Sequence, residues 1–219
     1  MLVDNRGSGR SDVPTASLAV ADLTDDVMRV LDAAKVRRGH ILGTSLGGMV
    51  AQELAIEHPE RVDRLVLACT TPGWPYAYPM PTASAQLMAA TRHLPREVAL
   101  RRHVENALSV QTVQTRPELV ERLIAHQRKR PSDPVGWASM AAAGARYSGG
   151  MRQTRIQAPT LVLHGSADTV VDPRNSQLLA ERIPDARLKV FPDLGHLFFW
   201  ENPNGFVDEV TSFLEGSSA

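Results

Sequence analysis

The sequence predicts an α/β protein built on a mainly parallel sheet. Three observations carry that expectation. Short apolar runs, Arg64-Leu65-Val66-Leu67-Ala68-Cys69 and Pro159-Thr160-Leu161-Val162-Leu163-His164, have the length of buried strands. Between and around them, apolar residues recur at helical spacing, as Leu23, Val27, Val30, Leu31 and Ala34 do early and Phe206, Val207, Val210, Phe213 and Leu214 do late. Strands that alternate with helices imply a parallel sheet with helices on both faces. The 219 residues suffice for one domain with a sizeable core and an insertion.

Taken in order, Leu2-Val3 reads as the tail of a strand. The small polar residues and two glycines of Asp4-Asn5-Arg6-Gly7-Ser8-Gly9-Arg10-Ser11 then mark a tight loop. A helix from about Leu18 to Ala34 leads into a second strand near His40-Ile41-Leu42. The helix after it ends at His58-Pro59, and the strand at residues 64–69 stops at Thr70-Thr71-Pro72-Gly73. From Trp74 to about Gln157 no strand is convincing. Helices are expected at about 82–92, 96–108, 118–129 and 134–146, with Pro95, Pro117 and Pro134 near their starts, where a missing N–H costs little. Residues 74–157 thus form a helical insertion between a first core segment, 1–73, and a second, 158–219. The basic run Gln127-Arg128-Lys129-Arg130 suits a solvated helix C-terminus. Asp172-Pro173 fits a cap and first helical residue, opening a helix to about Ile183. Leu188-Lys189-Val190-Phe191 is a strand, residues 192–196 a loop, Asn202-Pro203 the start of the last helix, and Gly216 to Ala219 a polar tail.

The chain is organised around His40-Ile41-Leu42-Gly43-Thr44-Ser45-Leu46-Gly47-Gly48-Met49-Val50. Gly43 to Gly47 fit G-x-S-x-G between an apolar strand and a helix. In that context the serine sits on a strained strand-to-helix turn with its hydroxyl exposed at the top of the sheet. A Cβ at either flanking glycine is expected to clash where strand and helix meet. The following helix N-terminus places free N–H groups beside any developing anion.

Composition excludes several classes. The 24 basic and 24 acidic residues leave no net charge, hence no electrostatic case for nucleic acid or an anionic membrane surface. One cysteine, Cys69, permits no internal disulfide and suits a reducing cytoplasm; it reads as a small buried hydrophobe. Neither a signal peptide nor a membrane span is recognisable. His93, His103 and His126 lack partners at ligand spacing, so no metal and no cofactor is assigned.

Ser45, Asp168 and His196 each follow an expected strand, at the sheet edge where ligands of such folds bind. The chemistry needs all three. A serine hydroxyl requires a base to take its proton, a histidine titrates in the useful range, and a buried carboxylate fixes the tautomer and stabilises the imidazolium. Asp172 is the competing acid, but Pro173 marks it as a helix cap, so Asp168 is preferred. His164 is the competing base. It ends a strand ahead of Gly165 and reads as a structural histidine at the rim.

The loop at residues 4–11, the G-x-S-x-G turn, Cys69-Thr70-Thr71-Pro72-Gly73, Leu163-His164-Gly165-Ser166-Ala167-Asp168 and Gly195-His196 together resemble the α/β-hydrolase fold, of the lactonase and esterase type with a helical cap. The order Ser, Asp, His is that family's order. The resemblance is nearest to proteins labelled 3-oxoadipate enol-lactonase-like, whose relatives include esterases, C–C bond hydrolases and cofactor-free haloperoxidases. It implies a serine hydrolase of a small carboxylic ester or lactone, acting through an acyl-enzyme on a small molecule. A haloalkane dehalogenase is disfavoured, since Ser45 stands where that chemistry uses Asp. The resemblance also assigns Leu46 N–H to the oxyanion hole. Against the family pattern, the first three strands are absent, and Leu2-Val3 would end the fourth. The third normally lies beside the serine-bearing strand and is followed by the loop carrying a second oxyanion donor. The expectation is therefore an N-terminally truncated chain that folds poorly or works weakly on its own, the alternative being a non-catalytic relative that binds a ligand or partner.

Overall fold

The computed structural model describes residues 1–129 and 133–216. Its sheet has four strands, β1 (Gly39–Thr44), β2 (Val62–Ala68), β3 (Thr160–Gly165) and β4 (Ala186–Phe191), in that spatial order. All pairs are parallel, with Leu42 opposite Val66, Leu67 opposite Val162, and Val162 opposite Leu188. Strands β2 and β3 are central and apolar because helices cover both their faces. On one face Leu65, Leu67 and Val162 pack with Leu54 of α2 (Leu46–Glu57), Leu31 of α1 (Val20–Ala33) and Leu179 of α8 (Arg174–Arg182). On the other, Val66, Leu161 and Leu163 meet Phe198 of α9 (Phe198–Glu201) and Phe213 of α10 (Pro203–Leu214).

Between β2 and β3 lie α3 (Thr82–Thr91), α4 (Arg96–Ala107), α5 (Val110–Thr115), α6 (Pro117–Lys129) and α7 (Pro134–Arg146). They have a core of their own, Val104, Leu108, Leu119, Val120, Leu123 and Ile124, which also takes in Leu197 and Trp200. A second apolar cluster joins α7 to the main body, Ala143 and Tyr147 packing with Leu23, Met49 and Val50. The prolines act as expected: α6 and α7 begin on Pro117 and Pro134, and the Asp133 carboxylate accepts from the N–H groups of Val135 and Gly136. At the end of α6 Arg128 pairs with Glu97; Arg130 of the basic run, and Ser217 to Ala219 of the tail, lie outside the described residues.

Two expectations need correction. Leu2-Val3 is not a strand; Leu2 is fully exposed, and no ladder partner exists for it among the described residues. A strand needs a neighbour to satisfy its backbone. The helix after Asp172-Pro173 begins at Arg174, and Asp172 Oδ1 accepts the Arg174 N–H at 3.0 Å. Strand β1, which carries Ser45 at its end, is an edge of the sheet among the described residues.

Candidate active site

Ser45 stands between β1 and α2 with φ 51° and ψ −116°, a conformation that L-residues avoid. Its surroundings hold it there. Ser45 N–H donates to the Ala68 carbonyl at 2.9 Å, while its own carbonyl accepts from Gly48 N–H at 2.9 Å and Thr70 Oγ1 at 2.8 Å. A Cβ at Gly43 would lie 2.2 Å from the Gly47 carbonyl oxygen, so strand and helix can meet only at glycine. The expectation for the second flanking glycine fails: a Cβ at Gly47 would have no heavy atom within 4 Å. The close approach belongs instead to Gly48, whose Cβ would lie 2.6 Å from Thr70 Cβ. Leu46 is the first residue of α2, so its N–H has no acceptor within the helix.

Asp168 lies buried in the loop between β3 and α8. Its Oδ1 accepts from Val170 N–H at 2.7 Å and Val171 N–H at 2.9 Å. Its Oδ2 receives His196 Nδ1 at 2.7 Å and His164 Nε2 at 2.9 Å. Burial by itself would raise the carboxyl's pKa, but the hydrogen bonds from His164 and His196 outweigh it and bring it down to about 2. The acid is therefore ionised at neutral pH, as a partner for an imidazolium must be. Asp172 makes no hydrogen bond to either histidine among the described residues; it pairs with Arg174, which holds its carboxyl below the ordinary range.

His196 sits in the loop between β4 and α9, 8% exposed. That loop is fastened to the turn between α4 and α5. Leu197 N–H donates to the Ala107 carbonyl at 2.9 Å, and a Cβ on Gly195 would lie 2.6 Å from the Leu108 carbonyl carbon. The buried Glu201 carboxylate bridges the two segments, accepting from Gly195 N–H at 2.6 Å through Oε1 and from Ser109 Oγ at 2.8 Å through Oε2. The same turn holds the Asp168 loop, since Thr169 Oγ1 donates to the Asn106 carbonyl at 2.8 Å.

The three expected residues each lie just after a parallel strand, Ser45 after β1, Asp168 after β3 and His196 after β4. Asp168 and His196 are hydrogen-bonded directly. Ser45 and Leu46 share a cavity of about 690 Å³ with Val170 and Val171, whose N–H groups hold Asp168. Met49, Met88, Met140 and Trp137 make its walls largely apolar. Ser45 Oγ makes no hydrogen bond among the described residues. His164 departs from expectation: it is fully buried, not at a rim, and it touches the same oxygen as His196. Glu201 was not foreseen at all, because its partner Ser109 is 92 residues away in the chain. Burial pushes the Cys69 thiol well above its usual range, in keeping with a small buried filler. His103 bonds Thr91 Oγ1, and the ring of His126 lies against that of Trp200.

A strained serine between strand and helix, and a hydrogen-bonded acid–histidine pair in loops that follow later parallel strands, define a class. The chain belongs to the alpha/beta hydrolase fold family, which matches residues 1–203. It is 31% identical over 218 residues to a 2-hydroxy-6-oxononadienedioate/2-hydroxy-6-oxononatrienedioate hydrolase of Cupriavidus pinatubonensis, covering 98% of this chain and 75% of that protein. It is 29% identical to 3-oxoadipate enol-lactonase 2 of Acinetobacter baylyi, over 97% of this chain and 77% of the relative. A solved hydrolase from Pseudomonas aeruginosa PA01 superimposes with a TM-score of 0.82 at 34% identity, covering 96% of this chain and 77% of that one.

Proposed function

We propose that the protein is a serine hydrolase that cleaves a small carboxylic ester or lactone through an acyl-enzyme. The hydrogen bond between Asp168 Oδ2 and His196 Nδ1 carries this reading, because it leaves His196 Nε2 as the free base. His196 Nε2 takes the Ser45 proton as Oγ attacks the carbonyl carbon. Asp168 stabilises the imidazolium, and Leu46 N–H receives the oxyanion at the α2 N-terminus. His196 then protonates the leaving oxygen, and water, activated by the same imidazole, releases the acid. The helical insertion acts as a cap that supplies most of the cavity's apolar wall. Nothing in these steps calls for a metal or an organic cofactor.

The relative that cleaves an oxo-dienedioate favours a second reading, C–C bond hydrolysis by the same residues. One experiment separates the readings. Aryl acetates, simple lactones and a vinylogous 1,5-diketone are offered to the wild type and to Ser45→Ala, and a fluorophosphonate is used to label the serine. The ester and lactone reading expects turnover of the first two groups, loss of on the order of 10⁴-fold or more in Ser45→Ala, and phosphonylation at Ser45 alone. Equal turnover by Ser45→Ala would refute it, and turnover of the diketone alone would favour the second reading.

A further inference from the structure

Two histidines on one carboxylate oxygen raise the question of what the second one does. The hydrogen-bond partners of His164 fix its protonation. Its Nε2 faces two acceptors, Asp168 Oδ2 at 2.9 Å and the Val171 carbonyl at 3.2 Å, so Nε2 carries a proton. Its Nδ1 meets Ser176 Oγ, and both residues have no exposed surface. A neutral ring accepts the Ser176 O–H at Nδ1 and satisfies both groups. A cationic ring would leave that O–H without an acceptor among the described residues, a costly outcome for a buried group. His164 is therefore the neutral Nε2–H tautomer.

The position of Asp168 does not depend on this bond, because Val170 and Val171 N–H groups already anchor Oδ1. What the His164 N–H changes is the basicity of Oδ2. An oxygen that shares its lone pairs between two donors binds each less strongly. We propose that His164 acts through Asp168: by donating to the oxygen that receives His196, it holds down the proton affinity of His196 and keeps it free as a base at lower pH. The proposal rests on the reading of Ser45, Asp168 and His196 as the catalytic set. Among the described residues, the other ionisable groups near the pair are engaged or neutral. Asp172 on the same loop is tied to Arg174, the Cys69 thiol at the end of β2 is neutral, and Glu201 behind Gly195 has its oxygens taken by Gly195 and Ser109.

The test is an NMR titration of protein labelled with ¹⁵N-histidine, which needs no substrate. In the wild type, His164 should remain the Nε2–H tautomer from pH 5 to 9. In His164→Leu, which keeps bulk and removes the donor, the pKa of His196 should rise by about half a unit to one unit. His164→Gln, which restores an N–H at that place, should return it to the wild-type value. The acid limb of kcat/KM should follow in the same direction. A His164 that titrates or carries its proton on Nδ1 overturns the proposal even if His164→Leu does not fold. So does an unmoved or lowered His196 pKa in a folded His164→Leu. If Ser45 were not acylated while this coupling held, the catalytic reading would fail and the coupling would stand.

Discussion

Four donors surround the Asp168 carboxylate, and that has consequences for stability as well as for chemistry. Its pKa falls from 3.8 to about 2 on folding. A lowered folded value stabilises the protein above the unfolded pKa, and that contribution is lost as pH falls through the folded one. From the shift, about 2 kcal/mol is present at neutral pH and disappears between roughly pH 4 and pH 2. Urea melts of wild type and Asp168→Asn should therefore differ at pH 7 and converge near pH 2; a constant gap would contradict the assignment. In turnover, Asp168→Asn should cost about 10⁴-fold in kcat by leaving His196 in the wrong tautomer. Asp172→Asn should be mild, because Asn can accept the Arg174 N–H equally well. Steady-state kinetics on the two variants rank the acids. That Ser45, Asp168 and His196 each follow a strand was legible in the sequence, because apolar runs mark the strands and strand ends are where a parallel sheet gathers its loops. The contact of His164 with Asp168 was not, since it depends on how the loop at residues 165–171 folds back, and no spacing rule describes that.

The turn at Ser45 separates two glycines that the motif treats alike. Gly43→Ala forces a Cβ to within 2.2 Å of backbone and should unfold or badly destabilise the protein. Gly47→Ala meets open space inside α2, where alanine is favoured over glycine by up to about 1 kcal/mol, so its melting temperature should hold or rise. Paired thermal melts decide it. Glu201 gives a second case. Glu201→Ala strips acceptors from the buried Gly195 and Ser109 N–H groups, at about 1–3 kcal/mol for each. Because Gly195 precedes His196, kcat should fall more than KM rises; a pure KM effect would mean that the bridge serves only the insertion. The longer elements could be read from apolar runs and helical period. Helices α5 and α9 could not, because six and four residues are too few to display a period. Leu2-Val3 misled for the opposite reason: its residues suit a strand, but pairing is a property of the neighbour.

Strand β1 leaves one row of backbone groups unpaired among the described residues, with Leu42 45% exposed on it. Flat apolar edges promote association, and a lysine on such an edge opposes it. Sedimentation velocity over a concentration series should show self-association that Leu42→Lys reduces; identical profiles would mean that this edge is already protected. Among the described residues no helix is long and apolar enough to cross a membrane. The turn at residues 106–109 is bonded to the loops of both Asp168 and His196. This has a bearing on recombination between relatives. The segment between β2 and β3 looks like a cassette that could be exchanged to change what the cavity admits. It is not one, because residues 106–109 are matched to Thr169, Gly195, Leu197 and Glu201 far along the chain. A chimera that imports a foreign 74–157 segment has to import residues 195–201 with it, or it will inherit a new cavity and a misplaced histidine.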